Sequence, residues 1–223
     1  MGGRGSSSSS GTNLGVGTKS TKATIDTMWK VNDYYKDSEN QYNCQACTLA
    51  VELAFRGYKV EARGHKHNAK YFVKPDGSET FLDDCFKGLN SKDVYVYNGK
   101  AYESISKLID ANLDKNPYRM ARSITRIKTT DRSKFISTVS GINSEVANWG
   151  NGGSGTIQVV WKGRGGHVFN VRNEGGKAVY YDGQIGKKVD LGDTLRGCKV
   201  KMTRVTRTDD LQINKDNAKY LVK

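Results

Sequence analysis

The stretch from Gly166 to Gln184 constrains the fold more than any other part of this chain. Gly166-His167-Val168-Phe169-Asn170-Val171 and Ala178-Val179-Tyr180-Tyr181 are strand-like. Between them lies the polar, two-glycine segment Arg172-Asn173-Glu174-Gly175-Gly176-Lys177. Such a pattern reads as a β-hairpin. Folding the chain about its middle sets Arg172 opposite Lys177, Val171 opposite Ala178 and Phe169 opposite Tyr180, with Asn173 to Gly176 as the turn. His167 then faces Asp182. Directly opposed residues on one sheet face have Cβ atoms about 4.5–5.5 Å apart, so an imidazole and a carboxylate are expected within hydrogen-bond reach. A strand histidine is often structural, and an aspartate before Gly183 is often a turn residue. Their juxtaposition argues against both readings, because a carboxylate is a costly neighbour unless it is partnered.

A second segment, Gln41-Tyr42-Asn43-Cys44-Gln45-Ala46-Cys47, opens a helix. Asn43 suits the N-cap. Ala46, Cys47, Leu49, Ala50, Leu53 and Ala54 recur at helical spacing, and Gly57 suits the C-cap. Cys44 falls in the first turn, where unpaired N–H groups and the helix dipole favour thiolate over thiol. A thiolate there, with a histidine oriented by an aspartate, makes up the parts list of nucleophilic cysteine chemistry. Cys47 is the alternative nucleophile, because it follows Gln41 by six residues, the spacing papain uses to help hold an oxyanion. Whichever cysteine is not used reads as a small buried apolar residue. Gln184 offers its amide to an oxyanion, to substrate or to the turn, and the Cys44 N–H is another oxyanion donor. Gly166 after Gly165 leaves room for a substrate backbone beside His167.

The rest of the chain reads as helices first and strands last. Ile25 to Tyr35 reads as a short helix with Met28, Trp29, Val31 and Tyr35 on one side. Tyr58 to Ala62 alternates as a strand does, and Val94 to Tyr97 reads as another. Helices are expected over Tyr102 to Leu113, and from Lys134 through Val146, followed by a glycine-rich loop from Gly150 to Gly155. Strands follow at Thr156 to Trp161, in the hairpin, and at Lys199 to Val205. That order, with few βαβ units, points to an α+β fold with an antiparallel sheet. The domain is expected to span 22–207. Residues 1–21, rich in Gly and Ser, are expected to be a disordered tail, and 208–223 a polar C-terminal extension.

Charge and cysteine content exclude some classes of function and leave others open. Of 223 residues 36% are hydrophobic, with no apolar run long enough to cross a membrane. The N-terminus lacks the apolar core of a secretory signal, so the chain is expected to be cytoplasmic when made. The net charge is +13. Arg119, Arg122, Arg126 and Lys128 form a dense basic stretch, read either as a contact for nucleic acid or an acidic surface, or as a solvated helix face. Cys44 and Cys47 have zinc-knuckle and redox-pair spacing. Cys85 and Cys198 are isolated, however, and a redox pair needs no His167–Asp182 hairpin. His65 and His67 sit in a polar loop and read as solvated.

Asn43-Cys44 opening a helix, Gly166-His167 on a strand and Asp182-Gly183-Gln184 after the next strand, in that order, resemble the papain-fold toxin family of bacterial polymorphic toxins and phage-borne proteins. Some of its relatives are glutamine deamidases. The stretch Cys47 to Val60 is similar too, and the likeness runs from about Gln41 to Gly186. The opening Met1-Gly2-Gly3-Arg4-Gly5-Ser6 resembles proteins encoded beside phage head genes in low-GC Gram-positive bacteria. The resemblance implies a papain-like hydrolase of amide bonds, with the Cys helix packed on the sheet that carries His and Asp. In that family the cysteine after Asn is the usual nucleophile, which puts Cys44 before Cys47, with His167 and Asp182 completing the triad. It implies a protein substrate, an immunity partner and no metal or organic cofactor, with delivery to another cell or carriage in a virion. A protease, an acyltransferase, and a phage binding protein acting through its basic surface are the alternatives.

Overall fold

A computed structural model describes residues 18–19, 29–33, 36–65, 72–163, 165–196 and 199–223. Its centre is a six-stranded sheet in which every neighbouring pair is antiparallel. The strand order is Lys187–Val189, Lys177–Asp182, Gly166–Glu174, Ser154–Trp161, Val200–Arg207 and Lys134–Phe135. Alternation along the strands separates two cores. Phe169, Val171, Ile157, Val159 and Val205 face the helix Val139–Ala147. Val168 and Tyr181 face the helix Cys44–Phe55. A smaller three-stranded sheet, Lys100–Tyr102, Ser91–Tyr97 and Thr125–Thr130, is inserted between the Cys44 helix and the main sheet in sequence. The architecture is α+β.

The Cys44 helix is buried from Ala46 through Ala54, as expected of a helix that is apolar on nearly every side. Two polar devices fix it in place. The Thr48 hydroxyl lies 3.0 Å from the carbonyl of Val168 and 2.8 Å from that of Cys44, and Asn170 donates to the Thr48 carbonyl at 3.1 Å. At the other end, Glu52 has no exposed surface. It accepts from Arg56 Nε and Nη2 at 2.9 and 2.7 Å and from the Ser154 hydroxyl at 3.0 Å. Arg56 extends the network to the carbonyls of Thr208 and Leu211, both at 2.6 Å. Gly57, at φ +85, ends the helix.

That network corrects the expected C-terminal extension. Leu211, Ile213, Ala218, Leu221 and Val222 are buried in the same core as the Cys44 helix. Val222 bridges Ala62, and the backbones of Glu61 and Lys223 exchange two hydrogen bonds of 2.9 Å. The segment looks polar because its apolar residues are spaced singly among charged ones. Other expectations also shift. Trp29 and Val31 are buried but not helical. Trp29 lies in a turn, residues 30–33 are irregular, and the Val31 carbonyl accepts from the Ala62 N–H at 2.9 Å. Most of the rest of the expected Ile25–Tyr35 helix lies outside the described residues, as do the 1–21 tail, all but Thr18 and Lys19, and His67 and Cys198. Lys134–Phe135 is an edge strand. The helix begins only after Thr138, whose hydroxyl accepts from the Gly141 N–H. The expected 102–113 helix shortens to Ile105–Asp110, capped by Ser104 and preceded by a strand. The basic stretch is not one helix face. Arg119 lies on the helix Pro117–Ala121 and Arg122 caps it, while Arg126 and Lys128 lie on a strand, where Arg126 pairs with Asp93. Among the described residues no helix is long and apolar enough to cross a membrane.

Glu52→Ala should destabilise the protein by about 3–5 kcal/mol, because it leaves the Arg56 guanidinium largely buried without its carboxylate. A chemical-denaturation midpoint compared with wild type measures this, and a change below about 1 kcal/mol would show that the ion pair does not organise the core.

Candidate active site

The hairpin forms with a tighter turn than the sequence suggests. Its two-residue turn is Gly175-Gly176, both at positive φ (+60 and +87), as a type I′ turn demands. Glu174 therefore pairs with Lys177, Asn173 with Ala178, Val171 with Tyr180 and Asn170 with Tyr181. Asn173 favours this register: its Oδ1 accepts from the Gly176 N–H, and its Nδ2 donates to the carbonyls of Val146 and Ala147 at the end of the neighbouring helix. Every pairing is shifted by two from the expected one. A shift of two preserves the face each side chain occupies, but it removes His167 from its place directly opposite Asp182. The two are diagonal neighbours instead, a separation that long side chains can span. His167 Nε2 lies 2.8 Å from Asp182 Oδ2.

Asp182 is buried, and both of its oxygens are occupied. Oδ2 meets the imidazole, and Oδ1 accepts from the Gln184 N–H at 2.9 Å. Gly183, between them, presses on the Cys44 helix. A Cβ there would sit 2.6 Å from Val51 Cγ2 and 3.1 Å from the Cys47 carbonyl. Cys44, first residue of its helix and partly exposed, also hydrogen-bonds His167. Burial lowers the imidazole's pKa, but the hydrogen bond from Asp182, the hydrogen bond to Cys44 and the charges of both outweigh it. The pKa rises from its ordinary 6.5 to about 10. With Nε2 held by Asp182, Nδ1 is the ring nitrogen left for the thiol.

Cys47 occupies a different environment. It is 1% exposed, and its thiol donates to Asn43 Oδ1 at 3.2 Å. Burial, then the neighbouring Cys44 and Asp182, raise its pKa well above the ordinary value. Cys47 is held as a thiol, whereas Cys44 hydrogen-bonds the imidazole. Gln184 is buried in the turn. Gln41 ends a short 3₁₀ helix, Ser38–Gln41, and is exposed, as is Gly166. A Cβ on Gly166 would sit 3.1 Å from the Val159 carbonyl.

Two residues behind the site escape a pattern-based reading. Asn43 precedes the helix but makes no side-chain cap. Its Nδ2 donates to Asn32 Oδ1 at 2.9 Å and to the Arg63 carbonyl at 3.0 Å. Asn32 Nδ2 in turn donates to the Gln184 carbonyl at 2.8 Å and the Asn40 carbonyl at 2.9 Å. A chain of amides thus ties the start of the Cys44 helix to the turn that carries Asp182. Only Asn43, adjacent to the cysteine, carried any signal in the sequence; Asn32 is 152 residues from its partner. No group of three or more His, Cys, Asp or Glu residues suited to a metal occurs among the described residues.

A helix-start thiol beside an imidazole held by a carboxylate, with the helix packed on an antiparallel sheet, is the arrangement of papain-fold thiol hydrolases. Residues 42–187, more than half of the chain, match the family described as papain fold toxin 1, glutamine deamidase, and the chain belongs to that family. No curated protein and no solved structure matches it significantly.

Iodoacetamide at neutral pH should alkylate Cys44 and spare Cys47, read by peptide mass; preferential modification of Cys47 would contradict the assigned environments. Gly183→Ala should destabilise by about 1–3 kcal/mol, because the added methyl overpacks against Val51 and the helix backbone. A thermal melt tests this, and an unchanged Tm would mean that the turn moves freely off the helix.

Proposed function

We propose that the protein is a cysteine-dependent glutamine deamidase acting on a protein substrate, with Cys44 as nucleophile, His167 as general base and acid, and Asp182 as the group that orients and charges the imidazole. The observation that supports this reading is the contact of His167 with both the Asp182 carboxylate and the Cys44 side chain. Membership of a glutamine deamidase family supports the choice of a side-chain amide as substrate.

His167 takes the Cys44 proton, giving thiolate and imidazolium. The Cys44 sulfur attacks the side-chain amide carbon of a glutamine. The oxyanion that forms is met by the Cys44 N–H at the helix start and by the amide of Gln184. The imidazolium gives its proton to the leaving nitrogen, the C–N bond breaks, ammonia departs and a thioester remains. His167 then takes a proton from water, whose oxygen attacks the thioester. The C–S bond breaks to release a glutamate side chain and restore thiolate and imidazolium. Gly166 beside His167 keeps the approach free of a side chain. Gln41, exposed on its short helix, is a further contact for substrate backbone. We read the biological role as that of a toxin, whose producer needs an immunity partner.

The experiment is a coupled assay of ammonia release from glutamine-containing proteins, with Cys44→Ala as control. Cys44→Ala should abolish release, and Cys47→Ala should retain it. Activity that survives in Cys44→Ala would overturn the assignment. The pH dependence tests the charge on His167. Its raised pKa keeps the imidazolium until about pH 10, so kcat/KM should fall only as pH passes that value, both limbs belonging to the coupled pair. Asp182→Asn removes the charge that raises it. The alkaline limb should then move down toward neutrality, and the rate should fall about 10²–10⁴-fold.

A further inference from the structure

Beside the start of the Cys44 helix is a cavity of about 240 Å³ that the chemistry above does not use. Its floor is a cross-strand row on the sheet face under the Cys44 helix. Val168 pairs with Gln158, and Gln158 pairs with Arg204. Its walls come from Gln45 at the helix start, from Phe81 to Asp84, and from Ser91, Lys128 and Thr129 of the smaller sheet. Gln45 follows Cys44 and Val168 follows His167, so the cavity borders both elements that carry the proposed site. Its volume suits one extended side chain and falls below that of sites for whole small molecules, roughly 300–1,000 Å³.

The hydrogen-bonding capacity left in the cavity is mostly that of donors. Both Asp83 oxygens are engaged by Arg204, at 2.9 and 3.4 Å. Asp84 accepts the Phe81 N–H through Oδ2. Gln45 Oε1 accepts the Leu82 N–H, which leaves its amide N–H₂. Lys128 forms no salt bridge among the described residues. Arg204 is 5% exposed, yet its Nε has no hydrogen-bond partner. That Nε is itself shielded from solvent, so Arg204 contributes charge to the cavity wall rather than a free donor. Asp83 is spent on Arg204, while the Gln45 amide N–H₂ and the Lys128 ammonium, which lies across the strand from an Asp93 already paired with Arg126, retain donor capacity.

We propose that this cavity is a substrate subsite for an acidic side chain flanking the reacting glutamine, held by Lys128 and the Gln45 amide. The inference rests on the deamidase reading and specifies the sequence around its target.

The test uses short peptides in which the reacting glutamine is replaced by 6-diazo-5-oxonorleucine, an electrophilic glutamine analogue. Glu, Gln or Lys is varied at each neighbouring position. The rate of Cys44 adduct formation is followed by intact mass. An acidic residue at one position should accelerate labelling about tenfold over Lys, the size of one partly buried charge contact. Lys128→Glu should reverse that preference. Lys100→Glu, which makes the same change in net charge at an exposed position outside the cavity, should preserve it. Labelling that ignores flanking charge, or a preference that Lys100→Glu shifts as much as Lys128→Glu does, overturns the subsite and leaves the deamidase reading standing. Failure of every peptide to label, with iodoacetamide still selective for Cys44, also overturns the subsite, since a side-chain site beside the start of the Cys44 helix lies within reach of a short peptide. If iodoacetamide selectivity and ammonia release fail as well, the deamidase reading falls and the subsite falls with it.

Discussion

A carboxylate in the middle of the core organises this protein. Glu52 sits on a helix that is otherwise apolar, with no exposed surface. An isolated charge there would be prohibitively unfavourable. The fold meets that demand with Arg56 from the same helix and the Ser154 hydroxyl from the central sheet. Arg56 then binds two carbonyls of the C-terminal segment. Three parts of the chain far apart in sequence converge on one charge. Packing of apolar residues would tolerate small slips of the helix along the sheet, whereas a buried ion pair with five short hydrogen bonds does not. Whether that specificity is why the pair is kept is a hypothesis, and the Glu52→Ala variant bears on it.

The consequence reaches the other end of the helix. Cys44 lies two turns or so from Glu52, and a displacement at one end moves the other. The amides of Asn43 and Asn32 set the remaining freedom by tying the helix start to the Gln184 carbonyl. Gly183 allows the turn to approach the helix backbone closely. Asp182 is then held at both oxygens, and the imidazole is held by Asp182. Each atom in this sequence is positioned by a bond to the next, so the thiol and the imidazole meet without either being on a mobile loop.

Local chemistry explains what the sequence revealed. The hairpin was legible because a pair of glycines forces a turn and alternation forces a face. Even so, the register was displaced by two, since a two-residue turn with both φ values positive outcompetes a four-residue one. The Cys44 helix was legible from its apolar spacing and its glycine stop. Contacts across long sequence separations were opaque. Arg204 meets Asp83 over 121 residues and Asn32 meets Gln184 over 152; no periodicity reports such pairs. The Leu211–Val222 region was misread for a compositional reason. Its buried residues are scattered among lysines, asparagines and aspartates, so its average polarity conceals its core positions. The 134–137 segment was read as helix because apolar spacing alone does not separate a short edge strand from a first turn; the Thr138 cap does.

The pairing of Ala62 with Val222 sets the order in which the molecule is assembled. Leu211, Ile213, Ala218, Leu221 and Val222 complete the core around the Cys44 helix, so part of that helix stays uncovered until they are in place. Contacts spanning most of the chain length slow folding, since loop closure precedes any reward. During synthesis, therefore, the thiol and the imidazole both emerge well before the surroundings that align them are complete.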